Sequence, residues 1–216
     1  LGDIQREFGN NVSKIVDGLT KIKGVFDVTS SEQAENFRKI VLTMAEDIRV
    51  ILIKIADRLH NMRTLESMSR QKQMRIASET VYLYAPLAHR LGLYNIKSEL
   101  EDLSMKYLEP VTYRNIAKKL AESKTKRTKY ISEFIKPIKE VLTDEGLNVH
   151  IYGRPKSIAS IWHKMKNKQI EFEDVYDLFA IRIVVDASED NEKSDCWKIY
   201  SMLTDFYTPS PDRLRD

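Results

Sequence analysis

Thr143-Asp144-Glu145-Gly146-Leu147-Asn148-Val149-His150-Ile151-Tyr152-Gly153 is where the chain changes period. Before Gly146, apolar residues recur every three or four positions, the helical spacing; after it, Leu147, Val149 and Ile151 alternate with polar residues, the strand spacing. Gly146 itself fits a helix C-cap. Working back from this point, the pattern predicts helices over roughly 124–145, 111–123, 93–107 and 70–90. Pro86 and Pro110 punctuate them, and Pro137 is a candidate kink. Working forward, Gly153-Arg154-Pro155-Lys156 predicts a turn and 156–168 a basic helix. Residues 178–185 predict a second strand, apolar enough to be central in a sheet. A charged loop at 186–194 then leads to a helix carrying Trp197, Tyr200 and Leu203. The fold class is therefore α+β, with an all-α first two-thirds and a mixed last third.

The N-terminal part is wholly helical by pattern. Ile4, Phe8, Val12, Ile15, Val16, Leu19 and Ile22 define a helix over 4–23 that stops at Gly24, and 25–31 reads as a loop. One long helix is expected over 32–66, with a stripe through Phe37, Ile40, Val41, Met44, Ile48, Ile51, Leu52, Ile55, Leu59 and Met62. A second stripe, Val50, Ile53, Asp57, Asn61 and Thr64, makes the helix apolar on two sides. Two-sided burial puts Asp57 and Asn61 in the interior or along a cleft.

Bulk properties narrow the function classes. The 216 residues include 35 basic and 32 acidic side chains, a net charge of +3. Balance of that kind argues against a general nucleic-acid binder, so local clusters must carry any phosphate recognition. Direct DNA binding is not expected. No apolar run reaches the ~18 residues a membrane span needs, and no signal pattern opens the chain. The single cysteine, Cys196, excludes an intrachain disulfide and fits a reducing, cytoplasmic setting; it is expected to be a small buried residue beside Trp197. The ends at Leu1 and Asp216 predict a piece of a longer protein.

Two constellations carry chemistry. In Lys54-Ile55-Ala56-Asp57-Arg58-Leu59-His60-Asn61-Met62-Arg63-Thr64, the residues Asp57, Asn61 and Thr64 fall at i, i+4 and i+7, on one helix face. A carboxylate in apolar company needs a metal ion or a cationic partner, and Arg58 is the nearest structural candidate. His60, one position off that row, reads as a packing or hydrogen-bonding histidine. The second constellation runs from Tyr152 to Asp177. Lys156, Ser160 and Lys164 step by four along one helix face, where ammonium groups and a hydroxyl near a helix start suit a polyphosphate. Arg154 at the turn could stack on a base or clamp phosphate. Asp177, opening the next strand, suits a Mg²⁺ ligand beside phosphates. The plainer alternatives are a solvated basic face and a turn aspartate.

These two segments closely resemble signatures of the RelA/SpoT homologue family. Lys54–Thr64 is similar to the motif of its HD-type (p)ppGpp hydrolase domain, and Asp3–Lys21 to the stretch just after that domain's first metal ligands. Tyr152-Gly153-Arg154-Pro155-Lys156-Ser157-Ile158-Ala159-Ser160-Ile161-Trp162-His163-Lys164-Met165 and Asp177-Leu178-Phe179-Ala180-Ile181-Arg182 are similar to the synthetase motifs. Ser157 and Ala159 stand where relatives often have His and Tyr. Tyr84–Gly92 is similar to the helical segment between the two activities, with no catalytic role for His89.

The resemblance implies the end of an HD-type hydrolase domain with a helical linker over 1–108. It implies that 109–216 is the N-terminal part of a mixed α/β, nucleotidyltransferase-like synthetase domain. It implies Mn²⁺ at Asp57, with Asn61 and Thr64 on the guanosine nucleotide, and Mg²⁺ at Asp177. Arg154 would meet the ATP adenine, and Lys156, Ser160 and Lys164 its phosphates. Pro211–Asp216 resembles the Arg-x-Lys-Asp element of bifunctional members, with Arg213 and Arg215 as further nucleotide-binding residues. The implied reactions are pyrophosphate transfer from ATP to the 3′-hydroxyl of GDP or GTP, and hydrolysis of the 3′-pyrophosphate of (p)ppGpp. The family's His and His–Asp ligands lie before this stretch and its catalytic Glu after it, so both sites are partial here and catalytic residues stay unassigned. Ribosomal or regulatory partners would act through other regions. A non-catalytic fragment binding guanine nucleotides or RNA is the alternative.

Overall fold

The computed structural model describes residues 1–23 and 47–210. The expected loop at 25–31, the first half of the 32–66 helix, and Arg213 and Arg215 lie outside the described residues. The chain forms two compact units, Leu1–Arg114 and Asn115–Asp216.

Among the described residues the first unit is helical, without strands. α1 (Gly2–Lys23) bends at Gly9, whose φ of 82° and ψ of 171° break the helical path at a residue without a Cβ. α2 (Ile48–Arg63) is shorter than the sequence pattern predicts. Asp47 is extended (φ −157°, ψ 108°), and its carboxylate accepts the Arg49 N–H, so it caps a new helix instead of continuing one from 32. Thr64 closes α2, and Leu65–Ser67 makes a single 3₁₀ turn. α3 (Arg70–Glu79) passes through a π-helical turn at Thr80–Tyr84 into α4 (Ala85–Arg90). Pro86, in the first turn of α4, lacks the N–H that would continue the regular ladder. α5 (Tyr94–Leu108) completes the unit.

Its core joins Ile51, Ile55, Met62 and Leu65 to Ala77, Tyr84, Leu87, Ala88 and Leu100. Gly18 lets α1 lie against α2, since a Cβ there would sit 2.9 Å from Val50 Cγ2. The expected two-sided burial of α2 does not occur among the described residues. Ile53 is 43% exposed, and Asp57, Asn61 and Thr64 are all exposed. The helix rests on the Ile51–Ile55–Met62 stripe and on Val50, with Leu59 partly buried beside them.

The second unit follows the change of period. α6 (Pro110–Glu122) leads into it, and α7 (Lys124–Asp144) runs on through Pro137. Gly146, at φ 75°, ends α7: its N–H donates to Thr143 O at 2.9 Å, and that of Leu147 donates to Leu142 O at 3.1 Å. This is the double bond pattern of a glycine-terminated helix. β1 (Val149–Pro155) pairs antiparallel with β2 (Phe179–Val185), from Val149 opposite Val185 to Pro155 opposite Phe179. The turn expected at Gly153–Lys156 is thus mostly strand; Pro155 sits at its last residue, where a missing N–H is tolerated. β2, expected as a central strand, pairs with β1 alone among the described residues, and its residues alternate between packed and exposed, Val184 being 44% exposed.

One face of this ribbon packs Val149, Ile151, Ile183 and Val185 against Phe134, Ile138 and Leu142 of α7. It also meets Ile199, Met202 and Leu203 of α9 (Glu192–Thr204). Gly153 is the point of closest approach to α7, because a Cβ there would lie 2.7 Å from Ile131 Cγ2. α8 (Ile158–Lys168) lies between the strands in sequence and buries Ala159 and Ile161. Cys196 is exposed, contrary to expectation: it precedes Ile199, the first residue of α9 that the core covers. The α+β class holds, as an all-α unit followed by a small mixed one.

Candidate functional site

The strand–turn–helix from Arg154 to Lys168 brings the second constellation together around Asp177. Lys156 N–H donates to Leu178 O at 2.9 Å, tying the exit of β1 to the entry of β2. That bond holds Lys156 beside Asp177, and its Nζ donates to Oδ2 at 2.7 Å. Lys164, two turns into α8, donates to the other oxygen, Oδ1. Both carboxylate oxygens are therefore paired with ammonium groups from residues 21 and 13 positions away. Partial burial pushes the Asp177 carboxyl up, but the two ammonium hydrogen bonds outweigh this and hold it down at about 2.

Ser160 lies on the same helix face. Its N–H donates to Ser157 Oγ at 3.3 Å, and the two hydroxyls are 2.7 Å apart. Ser157 is thus the N-cap of α8, a role the residue pattern did not single out. The available signal was a serine one place before an apolar helical run. Arg154 is half-buried, opposite Ala180 on the ribbon face turned away from α7. Among the described residues its guanidinium has no ion-pair partner.

The first constellation has a different character. Asp57 and Asn61 share the exposed side of α2, and Thr64 caps its end with Oγ1 donating to His60 O at 3.1 Å. His60 is exposed rather than packed. Arg58, the obvious structural partner for Asp57, turns away. Its Nη2 donates to Glu79 Oε2 at 3.0 Å, and its guanidinium lies 4.3 Å from the centre of the Tyr84 ring. Burial pushes the Tyr84 hydroxyl pKa up, with Arg58 opposing. Among the described residues, no hydrogen bond or ion pair holds the Asp57 carboxylate. No group of three His, Cys, Asp or Glu side chains able to hold a metal occurs among them. Asp57 fits a divalent cation only as one ligand of a larger set, whereas the hard, part-exposed carboxylate of Asp177 fits a Mg²⁺ shared with phosphates.

Comparison with known proteins follows this division. Residues 1–94 match the HD domain family, and residues 153–216 match the region found in RelA / SpoT proteins. The chain belongs to the RelA/SpoT family. A probable guanosine-3′,5′-bis(diphosphate) 3′-pyrophosphohydrolase of Synechocystis is 44% identical over 100% of this chain and 28% of its own length. A GTP pyrophosphokinase of Myxococcus xanthus is 42% identical over 97% of this chain and 28% of its own. The bifunctional (p)ppGpp synthase/hydrolase SpoT of Escherichia coli K12 is 40% identical over 99% of this chain and 30% of its own. The chain thus spans a little under a third of the relatives it matches. No helix among the described residues is long and apolar enough to cross a membrane.

Proposed function

We propose that this chain is part of a cytoplasmic, bifunctional (p)ppGpp synthetase/hydrolase of the stringent response. In this reading residues 1–108 form part of the hydrolase domain with its helical linker, and 109–216 part of the synthetase domain. The observation that carries the proposal is the convergence of Lys156 and Lys164 on Asp177. A solvated basic face would leave these lysines spread in solvent. Here two ammonium groups and a carboxylate meet beside the first turn of α8, the arrangement a metal–polyphosphate needs.

On the synthetase side, Asp177 holds Mg²⁺, and Lys156, Ser160 and Lys164 hold the ATP phosphates. The half-buried guanidinium of Arg154, without a described partner, takes the adenine face. Mg²⁺ held there would supply charge neutralisation, and Lys156, Ser160 and Lys164 position and charge-match the β,γ-pyrophosphate of ATP for transfer to the 3′-hydroxyl of GDP or GTP. Arg213 and Arg215 are assigned to the same nucleotide site from the sequence. On the hydrolase side, Asp57 is one ligand of a Mn²⁺ site that acts on the 3′-pyrophosphate of (p)ppGpp, with Asn61 and Thr64 on the guanosine. The exposure of all three residues on one side of α2 supports this assignment.

Equilibrium binding of ATP in Mg²⁺ tests the synthetase side. The wild-type chain should bind, and Lys164→Ala should weaken binding about tenfold or more, the scale of one lost charge-assisted contact to phosphate. Equal affinity in the two proteins would overturn the assignment.

A further inference from the structure

Asp177 is the most exposed member of its cluster. Its side chain is 40% exposed, against 29% for Lys156 and 20% for Lys164. Each oxygen of its carboxylate is taken by one of the two ammonium groups, so without a cation both lysines are already paired. We propose that Asp177 masks Lys156 and Lys164 from any polyphosphate until a divalent cation replaces them on the carboxylate. The cation is then required for binding the nucleotide, and not only for the reaction. The proposal rests on the reading of this cluster as a nucleotide phosphate site.

The charges lead to this ordering. With the two lysines positive and the aspartate negative, the cluster carries one net positive charge and has both carboxylate oxygens satisfied. A metal-free polyphosphate that drew the lysines away would leave the part-buried carboxylate unpaired, beside added negative charge. Both effects oppose binding. A cation removes both at once: it takes the two oxygens of Asp177, and the freed ammonium groups turn to the phosphates. Partners are exchanged and no charge is stranded. The backbone bond from Lys156 to Leu178 and the helical setting of Lys164 keep both stems in place during the exchange.

The probe is inorganic tripolyphosphate, measured by calorimetry on this chain in EDTA and in Mg²⁺. Wild type should bind in Mg²⁺ and lose about tenfold or more in EDTA. Asp177→Asn should bind in EDTA about tenfold more tightly than wild type does, one like charge having gone from the site, and should gain little from Mg²⁺. If Asp177→Asn binds in EDTA no better than wild type, the masking is wrong, while the phosphate site stands as long as wild type binds in Mg²⁺. If wild type fails to bind in Mg²⁺, the phosphate site itself is wrong. A measurement on wild type alone avoids reliance on the variant. Amine-reactive labelling, read by mass spectrometry, should modify Lys156 and Lys164 faster as Mg²⁺ is added without phosphate; unchanged rates would overturn the masking.

Discussion

Asp57 and Asp177 are the two aspartates expected to hold cations, and their surroundings differ. Asp57 stands exposed on α2 with no described partner, and the arginine next to it in sequence serves Glu79 and Tyr84 instead. Asp177 is gripped by two lysines distant in sequence. The difference shows how partners are chosen. On a helix, adjacent residues point about 100° apart, so Arg58 cannot easily serve Asp57. A strand–turn–helix brings distant side chains to one point. In the first unit the metal-type carboxylate is separated from the ion pair that holds the fold. In the second, the ion pair and the proposed site are the same atoms.

The largest effect should come from breaking the ion pair that Asp57 does not share. The side chains of Arg58 and Glu79 are only 12% and 21% exposed. Arg58→Ala leaves Glu79 to its longer pair with Arg75, at 3.8 Å, and removes the contact to Tyr84. It should destabilise the first unit by about 2–3 kcal/mol, below the ~3–5 kcal/mol of a fully buried pair because both side chains keep some exposure and Glu79 keeps Arg75. Thermal unfolding followed by tryptophan-independent far-UV circular dichroism would measure this, and a loss below about 0.5 kcal/mol, the scale of a surface change, would put Arg58 among surface residues. Next comes the packing that aims the second constellation. Gly153→Ala places a methyl 2.7 Å from Ile131 Cγ2. The shift of Ile131 or of the ribbon should cost about 1–2 kcal/mol in stability. Through Arg154 and Lys156 it should also weaken ATP binding. Normal affinity at reduced stability would separate the packing from the site.

Much of this was legible in the sequence, for local reasons. The change of period at Gly146 appears as a helix end with both of its capping hydrogen bonds, because glycine chemistry and alternation act within a few residues. Lys156 and Lys164 converge on Asp177, with Ser160 on the same helix face, because helix spacing and the Lys156–Leu178 backbone bond fix their positions. What the pattern missed depends on long-range context. Val50 and Ile53 suggested a second buried face on α2, and Val50 is buried while Ile53 is not, since periodicity alone does not say which faces have a neighbour. Asp47, read as one residue within a helix, caps a new one. The Arg58–Glu79 pair spans 21 residues and the 3₁₀ turn at Leu65–Ser67, and Tyr84, the other partner of Arg58, sits at the end of a π-helical turn that no simple period predicts. Cys196 lies on an apolar stripe but beyond the part that the core covers.

A third, smaller effect concerns acid. The Asp177 carboxyl is lowered from 3.8 to about 2, so its pairing stabilises the fold above the unfolded-state value of 3.8. That contribution fades as pH falls through about 2. Carbon NMR of the carboxyl in EDTA, assigned against Asp177→Asn, should therefore show it still ionised at about pH 3, as paired carboxylates are. A midpoint at or above the ordinary aspartate value would mean that the lysines do not grip it in solution.

The smallest expected change is in stability when Asp57 is neutralised. No described hydrogen bond or ion pair depends on this carboxylate, its side is exposed, and the core stripe of α2 lies elsewhere. Asp57→Asn keeps the shape and should leave the unfolding free energy within about 0.5 kcal/mol of wild type, the range of a surface substitution. Asp177→Asn, by contrast, removes the carboxylate that separates two ammonium groups and should destabilise the second unit measurably in low salt. Added salt should reduce that loss, because screening weakens the repulsion between Lys156 and Lys164. If Asp57→Asn proved the more destabilising of the two, Asp57 would belong to the framework of the fold. An aspartate kept exposed and unpaired for a ligand has little to lose in stability, whereas one that holds two lysines does.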